Sequence, residues 1–201
     1  MFSFISTVIL HFIIASPLVV MFYRGVMDQL GADPVKALIH FSGISTLNLL
    51  VITLSVTPLA RWFRWGWLVR QRKTIGLYCF AYASAHIFSY LGFELGFAWQ
   101  DFVSEIVKRP YITLGALAYV MLVVLAITSL DYIKKIIGSR WKSIHQMIYL
   151  IVILGGIHFL WSVKSDIVEP LVYLSIFSVL LFLRRDKLRK IWCKWFVPAN
   201  P

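Results

Sequence analysis

Six times along the chain the sequence stays apolar for close to the length of a bilayer crossing. The runs are about residues 4–23, 37–59, 74–93, 111–130, 143–163 and 167–183, the last being the shortest. A hydrocarbon core about 30 Å thick is spanned by about 20 helical residues. No water is present there to satisfy the backbone, so such runs must be helices. The expected fold is an all-α integral membrane protein, with six transmembrane helices forming one domain over residues 1–201. Composition agrees. Of 201 residues, 60% are hydrophobic and only 14% charged, whereas a soluble domain carries about a quarter charged residues. The first run lacks the basic lead of a cleavable signal peptide, and it is read as a retained first helix.

The net charge of +11 is gathered in a few loops. That pattern argues against a nucleic-acid surface and for a topology signal. Residues 61–73 hold Arg61, Arg64, Arg70, Arg72 and Lys73 and no acid. Lys134, Lys135, Arg140 and Lys142 face only Asp131 in the loop after the fourth run. The tail holds Arg184, Arg185, Lys187, Arg189, Lys190 and Lys194 against Asp186. The remaining loops are neutral or slightly acidic. The basic loops thus follow runs two, four and six, and the positive-inside rule places them and both termini in the cytoplasm. Trp62, Trp65, Trp67, Trp99, Tyr111, Trp141 and Trp161 mark the ends of runs, as an interfacial aromatic belt would. The outer stretch 94–110 is long enough for a short helix lying in the interface, and it is also the best outer surface for a partner. Cys79 and Cys193 fall in a membrane run and a basic tail, so neither a disulfide nor a metal cluster is expected of them.

Five histidines, His11, His40, His86, His145 and His158, all fall within the runs or at their edges. Ionisable groups at such depths mark functional sites, and imidazole is a ligand for iron. Depth separates them. At ~1.5 Å per residue, His86 lies ~20 Å beyond Lys73, and His158 ~24 Å beyond Lys142. Both therefore sit in the outer half, where two helices can offer them to one haem iron. His145 lies only ~5 Å beyond Lys142, and the third run has no histidine at that level. The inner site around His145 then holds a second haem with another ligand, or a flavin or quinone. His145 and His158 are ~140° out of phase on a straight helix, so they face one side only if the helix deforms. Gly155-Gly156 is the natural place for a kink, or else a point of close helix packing. Arg70, Arg72 and Lys73 before the third run, with Lys142 before the fifth, suit a flavin phosphate or haem propionates, or act only as topology anchors. Arg24, Arg109 and Lys164 stand in the same position at the outer face. Ser84, Ser89 and Ser162 are near enough in sequence to hydrogen-bond the outer pair. No paired carboxylates, nucleophile–base set or Gly-rich nucleotide loop is visible.

The pieces LGADPVKALIHFSG (30–43), VTPLARW (56–62), GLYCFAYASAHIFSY (76–90), KRPYITLG (108–115), AITSL (126–130) and RWKSIHQMIYLIVILGGIHFLWSVK (140–164) carry a resemblance. The chain resembles the MsrQ/YedZ family, the haem-binding membrane subunits of bacterial periplasmic methionine sulfoxide reductase systems, within the ferric reductase-like transmembrane group. The resemblance implies a haem-binding helix bundle in the bacterial inner membrane. It implies haem b and FMN as cofactors, with His86, His145 and His158 as the key histidines. It implies electrons drawn from the quinone pool and passed to a periplasmic molybdopterin enzyme that reduces methionine sulfoxide in oxidised proteins. Many members of the wider group have two histidines on the third helix; here there is only His86.

The expected function is a membrane electron-transfer subunit rather than the catalytic one. Quinone or a flavin reductase feeds an inner cofactor near His145, with Arg72 and Lys73 beside it, and the outer haem between His86 and His158 delivers to the docked partner. Two other readings stand beside it: a free-standing membrane ferric or metal reductase, and a cofactor-free membrane scaffold.

Overall fold

In a computed structural model of the protein, residues 2–186 and 188–189 are described. Cys193 and the tail cations Lys187, Lys190 and Lys194 lie outside the described residues. The order is α1 (Phe2–Val26), α2 (Pro34–Trp62) and α3 (Gly66–Ser89), the last prolonged by a π-helical turn at Tyr90–Glu94. Then come α4 (Trp99–Lys108), α5 (Pro110–Thr128), α6 (Asp131–Ile137), α7 (Trp141–Ile144), α8 (Ile148–Ser162) and α9 (Val168–Phe182). Each of the six apolar runs is helical. Four stretches are long and apolar enough to cross a membrane: Ile5–Val26, Pro34–Trp62, Pro110–Thr128 and Asp131–Ser162; Val168–Phe182 is a shorter apolar helix. This is a multi-pass, all-helical membrane protein.

The outer stretch 94–110 contains the short helix that its length allows, α4. The fifth run is not one uniform helix. It begins with α7, tightens into a 3₁₀ turn at His145–Met147 and continues as α8. The deformation sits at His145 itself. Gly155 and Gly156 lie inside unbroken α8, and a Cβ on Gly156 would meet Leu174 Cδ2 at 2.6 Å. That glycine therefore serves close packing of α8 on α9.

The start of α2 is chemically explicit. The Asp33 side chain accepts from the Lys36 amide at 2.9 Å, and Pro34 opens the first turn. This is the preferred combination of an acidic cap and a proline whose missing N–H costs nothing there. The core runs through α2, α3, α5, α8 and α9, with Leu50, Leu54, Val56, Ile151, Val152 and Phe177 almost wholly enclosed. The outside is as apolar as the inside: Phe12 is 71% and Ile13 62% exposed on α1. In water such a surface would aggregate; in a bilayer it is the solvent-matched face. α3 packs chiefly on α2, and α8 on α5 and α9.

Several polar groups of the helices are tied internally. Ser42, Thr53 and Thr128 donate to carbonyls one turn back on their own helices. Between helices, Gln71 donates to Thr7 at 2.9 Å, His11 Nδ1 meets the Tyr78 hydroxyl at 2.8 Å, and Tyr173 donates to Asn48 at 2.8 Å. Prolines within the helices are handled the same way. Pro17 lies inside α1, and the Tyr82 hydroxyl donates at 2.7 Å to the Ile14 carbonyl, next to the Ile13 carbonyl that Pro17 leaves without its N–H. Pro58 in α2 has no N–H to offer the Leu54 carbonyl one turn earlier. The Arg184 guanidinium, just past α9, donates to that carbonyl while lying over the Tyr149 ring at 5.8 Å. A helix break is thereby repaired by a side chain 130 residues away, as bilayer-embedded prolines require.

Arg184→Met keeps the length of the side chain and removes the donor. The orphaned Leu54 carbonyl should then cost about 1–3 kcal/mol, read as a lower unfolding midpoint in mild detergent. An unchanged midpoint would show that the carbonyl is satisfied some other way.

Candidate functional site

His86 lies three residues before the end of α3, and His158 four residues before the end of α8. The two helices run to the same side, so their histidines come level. The rings face each other with centroids 6.3 Å apart and planes crossed at 87°. Each ring is oriented by the same device. His86 Nδ1 donates to the Ile39 carbonyl on α2 at 2.8 Å. His158 Nδ1 donates to the Tyr111 carbonyl on α5 at 2.6 Å. A carbonyl can only accept, so in both rings the proton is on Nδ1 and the lone pair on Nε2.

Both approaches depend on glycine. Gly43 stands four residues after Ile39, and Gly115 four residues after Tyr111. A Cβ on Gly43 would fall 3.1 Å from the His86 ring; one on Gly115 would fall 2.8 Å from His158 Nδ1. The absent side chain one turn beyond each carbonyl is what lets the imidazole reach it. Closeness in sequence points instead to Ser84, Ser89 and Ser162 as the partners. Ser84 and Ser162 donate to carbonyls of their own helices. Ser89, one turn beyond His86, is fully buried, and its hydroxyl has no partner among the described residues. The carbonyl and glycine pairs escape sequence reasoning; the signal present in the sequence is a lone glycine in each of two apolar helices.

The other end of the bundle, at the basic loops, holds a cavity of about 480 Å³. Its wall includes Arg70, Arg72 and Lys73 from α3, Lys134 from α6, and Lys142 and His145 from the segment leading into α8. All the sequence-selected inner residues therefore line one space. Lys73 is not unengaged: its Nζ is 2.9 Å from Asp131 Oδ1, joining α3 to α6. His145 stacks on Trp141, centroids 4.1 Å apart, and its Nδ1 donates to the Trp141 carbonyl at 3.2 Å. Trp141 is itself pinned, donating to the Thr128 carbonyl at 2.9 Å and carrying Lys134 over its face at 4.6 Å. Its position in the sequence suggests only a belt role. His145 Nε2 faces the Ser129 hydroxyl at 3.3 Å, but that hydroxyl also donates to Leu125 at 2.7 Å. The shorter bond takes the single proton, and the lone pair of a neutral His145 is left to accept from something else.

The other candidates are elsewhere. Arg109 is paired with Glu105 at 2.5 Å and donates to the Tyr111 hydroxyl at 3.1 Å. Arg24 donates to the Gln29 carbonyl beyond α1. His40 is an exposed outer residue 3.7 Å from Glu169, and His11 is spent on Tyr78.

Residues 40–156 match the family described as ferric reductase like transmembrane component. His86 and His145 fall within that match and His158 just beyond it. A Cronobacter sakazakii protein named protein-methionine-sulfoxide reductase heme-binding subunit MsrQ is 43% identical over 186 residues, spanning 92% of this chain and 93% of its own. Proteins of the same name from two strains of Klebsiella pneumoniae are 42% and 41% identical over 92% of this chain, covering 94% and 92% of theirs. The chain belongs to the MsrQ family. No solved structure matches it. As an MsrQ family member it combines a ferric reductase-like membrane core with a histidine pair at one end and a basic cavity at the other.

Proposed function

We propose that the protein is the membrane electron-transfer subunit of a methionine sulfoxide repair system, a b-type cytochrome holding haem between His86 and His158. The observation that carries this reading is the facing pair of imidazoles. Two ring nitrogens each ~2 Å from one metal put the ring centroids about 6 Å apart, and the pair stands at 6.3 Å. The donor set fits as well: both Nε2 atoms are unprotonated, and both Nδ1–H groups are held by carbonyls, which fixes tautomer and ring angle and raises ligand basicity. The buried, partnerless Ser89 hydroxyl beside His86 is consistent with a group seated there. When bound, haem supplies a one-electron carrier whose potential the chain sets through bis-imidazole ligation, burial and these hydrogen bonds. The two glycines keep α2 and α5 close enough for the hydrogen bonds to form.

The inner cavity suits FMN. A volume of 480 Å³ lies in the range of about 300–1,000 Å³ common for small-molecule sites. With Lys73 committed to Asp131, the cations Arg70, Arg72, Lys134 and Lys142 on its wall can balance a phosphate. His145 offers an acceptor at Nε2 for an N–H of the bound ring, while Trp141 holds the imidazole in place. In this reading electrons come from the quinone pool or a cytoplasmic flavin reductase. They leave to a periplasmic molybdopterin methionine sulfoxide reductase, which does the substrate chemistry. The names of the MsrQ relatives and the charge pattern of the loops support it, with six crossings of the bacterial inner membrane and both termini in the cytoplasm.

Haem and flavin quantified per chain in purified protein test this directly. His86→Ala and His158→Ala should each abolish the low-spin bis-imidazole spectrum of the outer haem; retention of that spectrum in both variants would refute the pairing. His145→Ala should keep that spectrum. Arg72→Ala should lose flavin and keep haem, and a wild-type protein with haem but no FMN would remove the flavin from the account.

Gly115→Ala tests the positioning more finely. The added methyl meets His158 at 2.8 Å, and overpacking of this kind costs about 1–3 kcal/mol. Haem retention on dilution should fall markedly. Gly43→Ala, with 3.1 Å to its neighbour, should do less. Equal retention in both variants and wild type would mean that the glycines do not set the ring positions.

A further inference from the structure

Side chains on α4 are sharply segregated between its two faces. At 100° per residue, Phe102, Ile106, Trp99, Val103 and Val107 occupy one arc ~140° wide, and Gln100, Ser104, Lys108, Asp101 and Glu105 fill the rest. Half of the apolar arc is spent on the protein. Phe102 lies 6.3 Å from the Tyr90 ring at the end of α3, and the Ile106 carbonyl accepts from Thr113 on α5. The other half covers nothing: Trp99 is 62%, Val103 59% and Val107 79% exposed.

The level of α4 is fixed by its ties. Thr113 is three residues into α5, ~4.5 Å along its axis, so Ile106 is held within the first turn of a membrane-crossing helix. Glu105, mid-way along α4, accepts from the Tyr90 hydroxyl at 3.5 Å and pairs with Arg109. The chain turns at Arg109, whose backbone is extended, directly into α5. At the other end it enters α4 through Gly96 and Phe97, both at positive φ, a conformation costly for a bulky side chain that breaks the path of α3. The helix therefore bridges the outer ends of α3 and α5, continuing neither.

We infer that α4 is an in-plane membrane-surface helix whose Trp99–Val103–Val107 stripe is seated in the lipid headgroup and upper acyl layer. A water-soluble partner cannot cover a stripe held level with the first turn of a spanning helix, whereas lipid covers it without further cost. Tryptophan at the end of the stripe is the residue such a boundary favours. Amphipathic helices of this kind bury their apolar face ~5–10 Å below the headgroups. Most of them recruit the membrane through basic residues; α4 carries Asp101 and Glu105 on its polar arc because the flanking spans already hold it there.

Spin labels at single cysteines test this in full-length protein reconstituted into nanodiscs of phosphatidylethanolamine and phosphatidylglycerol. The background is Cys193→Ser with buried Cys79 kept; protein with no added cysteine controls for label uptake. Circular dichroism melting checks each variant. Labels at Val103 and Val107 should show an oxygen-to-nickel-chelate accessibility ratio at least threefold above labels at Gln100 and Ser104. Quenching of Trp99 by bromine-labelled lipid, taken as the difference from Trp99→Phe, should agree. Ratios at Val103 and Val107 equal to those at Ser104 would place the stripe in water, assign it to a protein partner and overturn the inference.

Discussion

An imidazole N–H inside an apolar bundle has to be given an acceptor, and one end of this molecule is arranged around doing so twice. Side chains are poor candidates there, since each brings its own unsatisfied polar atoms. A helix carbonyl is already present, but it is shielded by the side chain one turn ahead. The chain removes that side chain: Gly43 opens the carbonyl of Ile39 to His86, and Gly115 opens that of Tyr111 to His158. The packing of α2 on α3 and of α5 on α8 is then a consequence as much as a cause. It brings two imidazoles to within 6.3 Å of each other from helices that otherwise pack mainly on other partners.

Much of this is legible in the amino-acid sequence. Apolar run length marks the helices, and residue counting from the basic loops puts His86 and His158 at one depth. What counting cannot supply is rotation about the helix axis. It therefore cannot show that the two rings lie 6.3 Å apart, nor that the fifth run tightens into a 3₁₀ turn at His145–Met147 while the glycine pair stays inside one helix. Gly155-Gly156 reads as a weak point in isolation. In the folded chain Leu174 packs where a Gly156 side chain would stand, and the pair lies within one continuous helix. The serines mislead for a related reason: closeness in sequence to a histidine says nothing about reach when the hydroxyl can turn back to its own helix.

The inner half shows the same limit in its charges. Arg70, Arg72, Lys73, Lys134 and Lys142 read equally well as topology anchors, and only folding shows that they share one cavity. The Lys73–Asp131 pair spans 58 residues, beyond any local pattern, and it occupies one of the cations on that wall. Trp141 illustrates how a residue can serve two ends. At the level of the basic loop it fits an interfacial belt, yet its stacking on His145 and its bond to Thr128 make it the support of the inner histidine.

The central claim is that His86 and His158 hold one iron between crossed imidazole planes. Low-temperature electron paramagnetic resonance of the oxidised, purified protein tests it most directly, because the ferric low-spin signal reports the angle between the two rings. Planes crossed at 87° predict a highly anisotropic spectrum dominated by one large g value, lost in His86→Ala and in His158→Ala. A rhombic spectrum of near-parallel rings, or a wild-type spectrum that survives in both variants, would contradict the account.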